Sequence, residues 1–160
     1  GGVTFVPALA GLGGPGWRPD ARGAVTGLGL DSAAGHLVRA LVEGIAAQVA
    51  ALVDAAAADT GVPPVTLRVD GGLTRSRLLM QTQADLLQVP VEVFASPDAT
   101  ALGVAAAARV GLQPGLALTD AVPPWRPAAV YEPQVSAAQA WDRLAAFRTA
   151  VAASLRPDQP

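Results

Sequence analysis

The order of helical and extended segments predicts an α/β protein built around a parallel pair of strands. Three observations carry this. Between about residues 33 and 110 the hydrophobic period switches from helical to alternating and back, giving helix, strand, helix, strand, helix. Each strand runs into Gly, Ser, Pro or Asp and then a helix, the layout of crossover units whose strands are most simply parallel. The side chains are small, with 35 alanines and 17 glycines among 160 residues and only 4% aromatics, so the core is built by close approach of small groups.

The first 30 residues are rich in Gly and Pro and hold two β-like pieces, Val3–Val6 and Ala24–Leu28. Asp31 or Ser32 is placed to cap a long helix from about Ala33 to Thr60. In it Leu37, Leu41, Ile45, Val49, Leu52 and Ala56 recur at spacings of three and four, which predicts the core-facing stripe. Gly61 and Pro63-Pro64 stop the helix. Thr66–Asp70 alternates and reads as a strand entering Gly71-Gly72. Thr74 is placed to cap a second helix, ending near Leu87, with Leu78, Leu79, Thr82 and Leu86 inward. Pro90–Phe94 is the next strand, and Ser96-Pro97-Asp98 caps a third helix over Ala99–Val110. The small residues of Ala101–Ala108 predict that this helix lies close on the sheet. A Pro-rich connection from Gln113 to Pro133 leads to a last helix, with a capping box of Ser136 and Gln139 and a stripe of Ala140, Leu144, Phe147 and Val151.

Two or three strands make a thin sheet, so further strands are expected upstream. The chain starts without Met in an extended apolar segment and lacks a basic leader, which reads as a piece of something longer rather than a signal peptide. The most apolar stretch, Ile45 to Ala58, is interrupted by Gln48 and Asp54, so no membrane span is expected.

Composition removes several chemistries. All 11 cations are Arg, which excludes a P-loop lysine and a Schiff-base lysine. The absence of Cys excludes disulfides, thiol nucleophiles and thiolate metal sites, and fits a cytoplasmic location. The single His36 excludes a multi-histidine zinc site. A net charge of −2 with scattered Arg argues against a nucleic-acid surface.

Gly11-Leu-Gly13-Gly-Pro-Gly16 matches the G-x-G-x-x-G dinucleotide fingerprint, with Asp31 twenty residues after Gly11. The mechanism fails, because those glycines must open a helix and Pro15, Pro19 and Gly23 break whatever follows. It reads as a loop. Asp70-Gly71-Gly72-Leu-Thr-Arg75-Ser76 has better context: strand, diglycine turn, helix. The glycines admit close backbone approach and the helix start offers free N–H groups, so a nucleotide sugar, base or phosphate fits there. A plain turn needing positive φ explains the same residues. Asp70 reads as a turn-capping carboxylate before a Mg²⁺ ligand, His36 as a first-turn helix residue before a base, and Arg75 and Arg77 as a solvated basic face. Trp17 suits either a domain interface or the core.

Taken in order, Phe5-Val-Pro to Trp17-Arg-Pro-Asp20-Ala-Arg22-Gly23, then Gly23-Ala-Val25-Thr-Gly27-Leu28 with His36-Leu37 to Glu43, then Arg68–Gln81, then Ala84-Asp85-Leu86 and Thr100-Ala-Leu-Gly103 resemble the FGGY carbohydrate kinases, of the glycerol-kinase-like kind. The resemblance covers residues 1–112, and the tail, 113–160 with its terminal helix, resembles the family loosely. It implies a single partial domain over 1–160: the C-terminal domain of an actin/hexokinase-type ATPase (ribonuclease H-like), missing its first strands. It further implies ATP and Mg²⁺ as cofactors, held mainly by parts outside this chain, and a sugar or polyol as substrate, most simply glycerol. The catalytic base and phosphate loops lie in the missing N-terminal domain and upstream, so no residue here is catalytic and the chain alone is expected to be inactive. The adenosine contacts of the family fall on the diglycine turn, Gly71 and Gly72, and on Ser76, where the family carries Asn. Serine keeps a hydroxyl and loses reach, a weakening of about 0.5–1.5 kcal/mol, or roughly ten-fold at most. The other expectation from these residues is a non-catalytic remnant or interaction module. A missing domain also predicts uncovered apolar surface around Phe5–Trp17, with partner binding or homo-oligomers.

Overall fold

The structure, a computed structural model, describes residues 1–96 and 98–155. In chain order the elements are β1 (Thr4–Val6), β2 (Ala24–Thr26), α1 (Ala34–Thr60), β3 (Leu67–Val69), α2 (Arg77–Leu87), β4 (Val91–Phe94), α3 (Ala99–Leu112), α4 (Leu118–Ala121), β5 (Pro127–Tyr131) and α5 (Ala137–Ser154). The α/β alternation is present. β3 and β4 are parallel as expected, with Leu67, Arg68 and Val69 opposite Val91, Glu92 and Val93.

The strands form two small sheets: β1 pairs antiparallel with β2, and β3, β4 and β5 line up in that order. β5 lies inside the segment read from sequence as a Pro-rich connection. It pairs antiparallel with β4, Tyr131 opposite Val91. Its Pro127 opens an edge strand, where a missing N–H is tolerated, so the prolines that hid this strand do not prevent it.

One face of the larger sheet is apolar. Leu67, Val69, Val91, Val93 and Tyr131 join Leu79, Met80, Ala84 and Leu86 of α2, Ala46, Ala47 and Ala50 of α1, and Phe147 of α5 in one hydrophobic cluster. Val6, Ala8, Ala21 and Ala150 form a second, smaller one under β1. The tail is tied to the body by side chains of α2 and the residue that caps it. Gln81 Nε2 donates to Glu132 O at 2.7 Å, Asp85 Oδ1 accepts from Gln134 N at 2.8 Å, and Gln88 Nε2 donates to Val135 O at 3.1 Å.

α1 turns a different face inward from the one its large residues predict. Leu37, Leu41, Leu52 and Ala56 are exposed, Ile45 and Val49 are half-buried, and the buried positions are Ala40, Gly44, Ala46, Ala47 and Ala50. The reason is distance. A Cβ at Gly44 would stand 2.2 Å from the carbonyl oxygen of Phe5, so β1 lies on the helix where no side chain intervenes. The start of α1 also differs: its N-cap is Ala33, and His36 Nδ1 accepts from Ala33 N at 3.1 Å, while Ser32 Oγ accepts from Gly29 N. Gly61, at φ +69°, ends the helix as expected.

By length and composition α1 suits a membrane crossing, with a mean hydropathy of 1.6 in its most apolar window. In the fold it packs against β1, α2 and α5. Both residues that interrupt its apolar run have partners: Gln48 Nε2 donates to Gly14 O at 3.0 Å, and Asp54 lies 3.6 Å from Arg148.

α2 buries Leu79, Thr82 and Leu86 as predicted, but Leu78 is exposed. α3 departs further. Only Ala106 is buried, and the helix packs on α4 rather than the sheet. A cavity of about 450 Å³, lined by Leu102, Phe94 and Trp125 among others, lies between α3 and this end of the sheet. Asp98 is the N-cap of α3 without a side-chain cap bond, and Pro97 of the predicted cap lies outside the described residues. α5 agrees with expectation, with Ser136 and Gln139 in a reciprocal capping box and Ala140 and Phe147 buried. Leu9 and Trp17 are 81% and 76% exposed, so Trp17 is not a core residue.

Candidate functional site

Parallel strands end at the same edge of a sheet, and in open α/β folds ligands lie beyond those carboxyl ends. Here β3 leads into Asp70-Gly71-Gly72 and β4 into Ala95-Ser96. Gly71 has φ +92° and ψ −179°, a conformation essentially confined to glycine, so its identity is dictated by the turn. The chain then makes a 3₁₀ turn over Gly72–Arg75, closed by Thr74 Oγ1, which donates to Gly71 O at 2.7 Å. α2 starts at Arg77 with Ser76 as its N-cap, Ser76 Oγ accepting from Leu79 N at 3.2 Å.

Gly71, Gly72, Thr74 and Arg75 from this turn and Phe94, Ala95 and Ser96 from the end of β4 enclose about 250 Å³. No atom lies within 4 Å of the point a Cβ on Gly72 would occupy, so that glycine is not required by packing. It leaves open space at the mouth of a helix.

The far face of the sheet carries an aromatic and ionic stack. Phe94 and Trp125 stack with ring centroids 5.1 Å apart and planes 15° apart. Arg68 lies over Trp125 at 4.6 Å and reaches Glu92 Oε2 at 3.3 Å, and Trp125 Nε1 donates to the same oxygen. Arg68 and Glu92 are register partners, so the stack braces the ends of β3 and β4 against one another. Phe94 belongs both to this stack and to the wall of the glycine cavity.

The structure thus brings Gly71 and Gly72 together in a cavity, with Ser76 at the head of α2 and not on the cavity wall. Arg75 lines the cavity, and Arg77 is exposed at the start of α2. Asp70 does not cap the turn. Thr74 does, and the exposed Asp70 carboxylate makes no hydrogen bond or ion pair among the described residues. The cap moves from Thr74 to Ser76 because the 3₁₀ turn takes up the intervening residues. His36 is the helix-start residue the sequence suggested, its Nδ1 occupied by Ala33 N–H. Gly11–Gly16 is a loop, with Gly14 O held by Gln48. Phe94, Ala95 and Ser96 were missed. The available signal was the parallel pairing itself, which places the end of the second strand beside the first strand's turn.

The family model for the C-terminal domain of the FGGY family of carbohydrate kinases matches residues 1–112. The glycerol kinase of Paracidovorax citrulli is 46% identical over 157 residues, covering 94% of this chain and 31% of that protein. That of Gloeobacter violaceus is 53% identical over 111 residues, 69% of this chain and 22% of the relative. Among solved structures, Plasmodium falciparum glycerol kinase with ADP superposes with a TM-score of 0.83 at 32% identity, over 98% of this chain and 31% of that one. A xylulose kinase from Rhodospirillum rubrum gives a TM-score of 0.73, also at 32% identity, over 95% of this chain and 30% of its own. The chain spans about a third of the length of the first of these relatives, and both structures extend the likeness through the tail. With the actin/hexokinase-like kinase fold and the family match over most of its length, this chain belongs to the FGGY family of carbohydrate kinases, in the C-terminal domain of that family.

Proposed function

We propose that this chain is the nucleotide-side domain of an ATP-dependent kinase that moves the γ-phosphoryl group of ATP to a hydroxyl of a polyol or sugar, glycerol first. The observation that carries the reading is the open glycine cradle beyond β3 and β4, in a chain 46% identical to a glycerol kinase. In this reading the adenosine of ATP rests on Gly71 and Gly72 and approaches Ser76. The residues suit that group: Gly72 has nothing where a Cβ would stand, and the turn delivers backbone N–H groups at a helix start. A cavity of about 250 Å³ holds part of a nucleotide, not all of it, which agrees with a cleft shared with a second domain.

ATP supplies the phosphoryl group, and Mg²⁺ would neutralise its developing charge. This chain's contribution is binding and orientation. Among the described residues no three His, Asp or Glu side chains converge as a metal site, and Asp70 is the carboxylate nearest the turn. In this reading Mg²⁺ ligation, the catalytic base and most acceptor contacts belong to the parent protein beyond this chain. Residues 1–160 form one partial domain, working in the cytoplasm against an N-terminal domain, and the chain by itself is inactive. Leu9 and Trp17 are candidates for the surface that meets that domain, or a second copy.

A second reading, a remnant that keeps the fold without chemistry, is favoured by the Ser76 hydroxyl, which is already engaged in capping α2. The test is a phosphoryl-transfer assay on the longest natural form of the protein, with glycerol and a panel of pentoses and polyols, together with nucleotide binding by Gly72→Val. ATP-dependent phosphorylation of glycerol, with binding lost in the folded Gly72→Val protein, is the expected result. Unchanged ATP affinity in Gly72→Val refutes the assigned pocket, and absence of transfer to every acceptor selects the remnant.

A further inference from the structure

We propose that the cleft between the first half of α1 and α5 is a binding site for a small oxyanion of the phosphate class, separate from the glycine cavity. The cleft encloses about 260 Å³ between His36, Arg39 and Glu43 on α1, Arg143 and Phe147 on α5, and the segment of residues 1–4 that runs into β1. Residues three and four apart share a helix face, so the three α1 side chains stand in one row. Pockets for drug-sized ligands run to roughly 300–1,000 Å³, so the cleft is of a size for a small ion.

Its charge is unbalanced. Arg39 Nε donates to Glu43 Oε1 at 2.7 Å, and Arg143 Nη1 stands 3.8 Å from the same oxygen, beyond hydrogen-bond reach. Two guanidinium groups thus face a single carboxylate, which leaves this side-chain cluster net positive. Arg143 Nη1 has no hydrogen-bond acceptor in the protein. The Arg143 side chain is about one-third exposed, so a tetrahedral oxyanion in the cleft can offer oxygens to the open part of its guanidinium and to Arg39. Phe147 and Leu86 form an apolar wall that limits screening. A phosphate ion and the phosphate of a small phosphomonoester present the same oxygens, so either satisfies the geometry.

The experiment is calorimetric titration of the full chain with inorganic phosphate at low ionic strength, repeated with methyl phosphate. Saturable one-to-one binding is expected, and tighter binding of methyl phosphate identifies a phosphomonoester as the preferred source. Arg143→Met should weaken binding by about ten-fold or more, the loss of a charge-assisted hydrogen bond. Glu43→Gln should strengthen it, because the competing carboxylate is removed. Arg148→Met, which alters the arginine over Trp141 near Asp54, should leave it unchanged. If Arg143→Met does not fold, side-chain ¹⁵N resonances of the unaltered protein answer the question: phosphate should move those of Arg39 and Arg143 and spare Arg148. Absence of saturable binding, wild-type affinity in Arg143→Met, or weaker binding in Glu43→Gln overturns the proposal.

Discussion

Replacing Gly44 by alanine adds one methyl group where the structure has no room for it. The new Cβ would sit 2.2 Å from Phe5 O, and 3.1 Å from both Phe5 C and Cδ1. Carbon and carbonyl oxygen approach no closer than about 3.3 Å in ordinary weak contacts, so β1 must retreat from α1 by about 1 Å. A carbonyl oxygen in a paired strand cannot rotate aside as a side chain can, and Thr4–Val6 is held to β2 on its other edge. Overpacking costs typically 1–3 kcal/mol, and this site belongs at the upper end, about 3 kcal/mol. For a chain of this size that lowers the melting temperature by roughly 6–12 °C. Gly103→Ala in α3 is the control. Nothing lies within 4 Å of its Cβ position, so the same change there should stabilise the helix by about 0.5–1 kcal/mol. Thermal and urea unfolding of both variants gives the signs directly. Gly44→Ala unfolding like the parent would refute the close packing of β1 on α1.

Ser76→Ala should lose the α2 cap, costing about 1 kcal/mol by urea unfolding, whereas Ser76→Asn keeps a capping oxygen and should leave stability unchanged. If the adenosine approaches this position, Ser76→Asn should also tighten ATP binding by up to about ten-fold in a calorimetric titration. Asp85 is buried and accepts from Gln81 Nε2 and from Gln134 N, so Asp85→Ala should cost about 1–3 kcal/mol and speed hydrogen exchange at the Gln134 amide. Hydrogen bonding from Arg18 holds the Asp20 carboxyl below its ordinary value, so this pairing is present above that value and lost as pH falls through the lowered one. In Arg18→Met the Asp20 titration followed by carbonyl NMR should rise toward the ordinary carboxylate value.

The alternation of periods made most of the fold legible. The parallel direction of β3 and β4 follows from the helix between them, and the stop at Gly61 and the Ser136–Gln139 capping box rest on local chemistry that a sequence displays. The buried face of α1 did not show, because hydrophobic periodicity rewards large residues while this interface is chosen by the absence of side chains at Gly44 and its alanine neighbours. β5 was hidden by its prolines, which signal a loop except at an edge. The stacking of Trp125 on Phe94 joins residues 31 apart in the chain, a pairing that no local pattern encodes. At the candidate site, the glycine turn was visible as Asp70-Gly71-Gly72, but the opposite wall of Phe94, Ala95 and Ser96 required the strand pairing. Ser76 illustrates the remaining gap: the family resemblance implies a ligand contact there, and its hydroxyl is first of all a helix cap.

Nucleotide binding at the diglycine turn is tested most directly by titrating ATP into the ¹⁵N-labelled chain and following the backbone amides. Saturable shifts concentrated at Gly71, Gly72 and the Ala95-Ser96 wall are expected, all abolished in Gly72→Val while the remaining spectrum is retained. Saturable binding with those amides unmoved, or no binding at millimolar ATP in both this chain and its longest natural form, would contradict it.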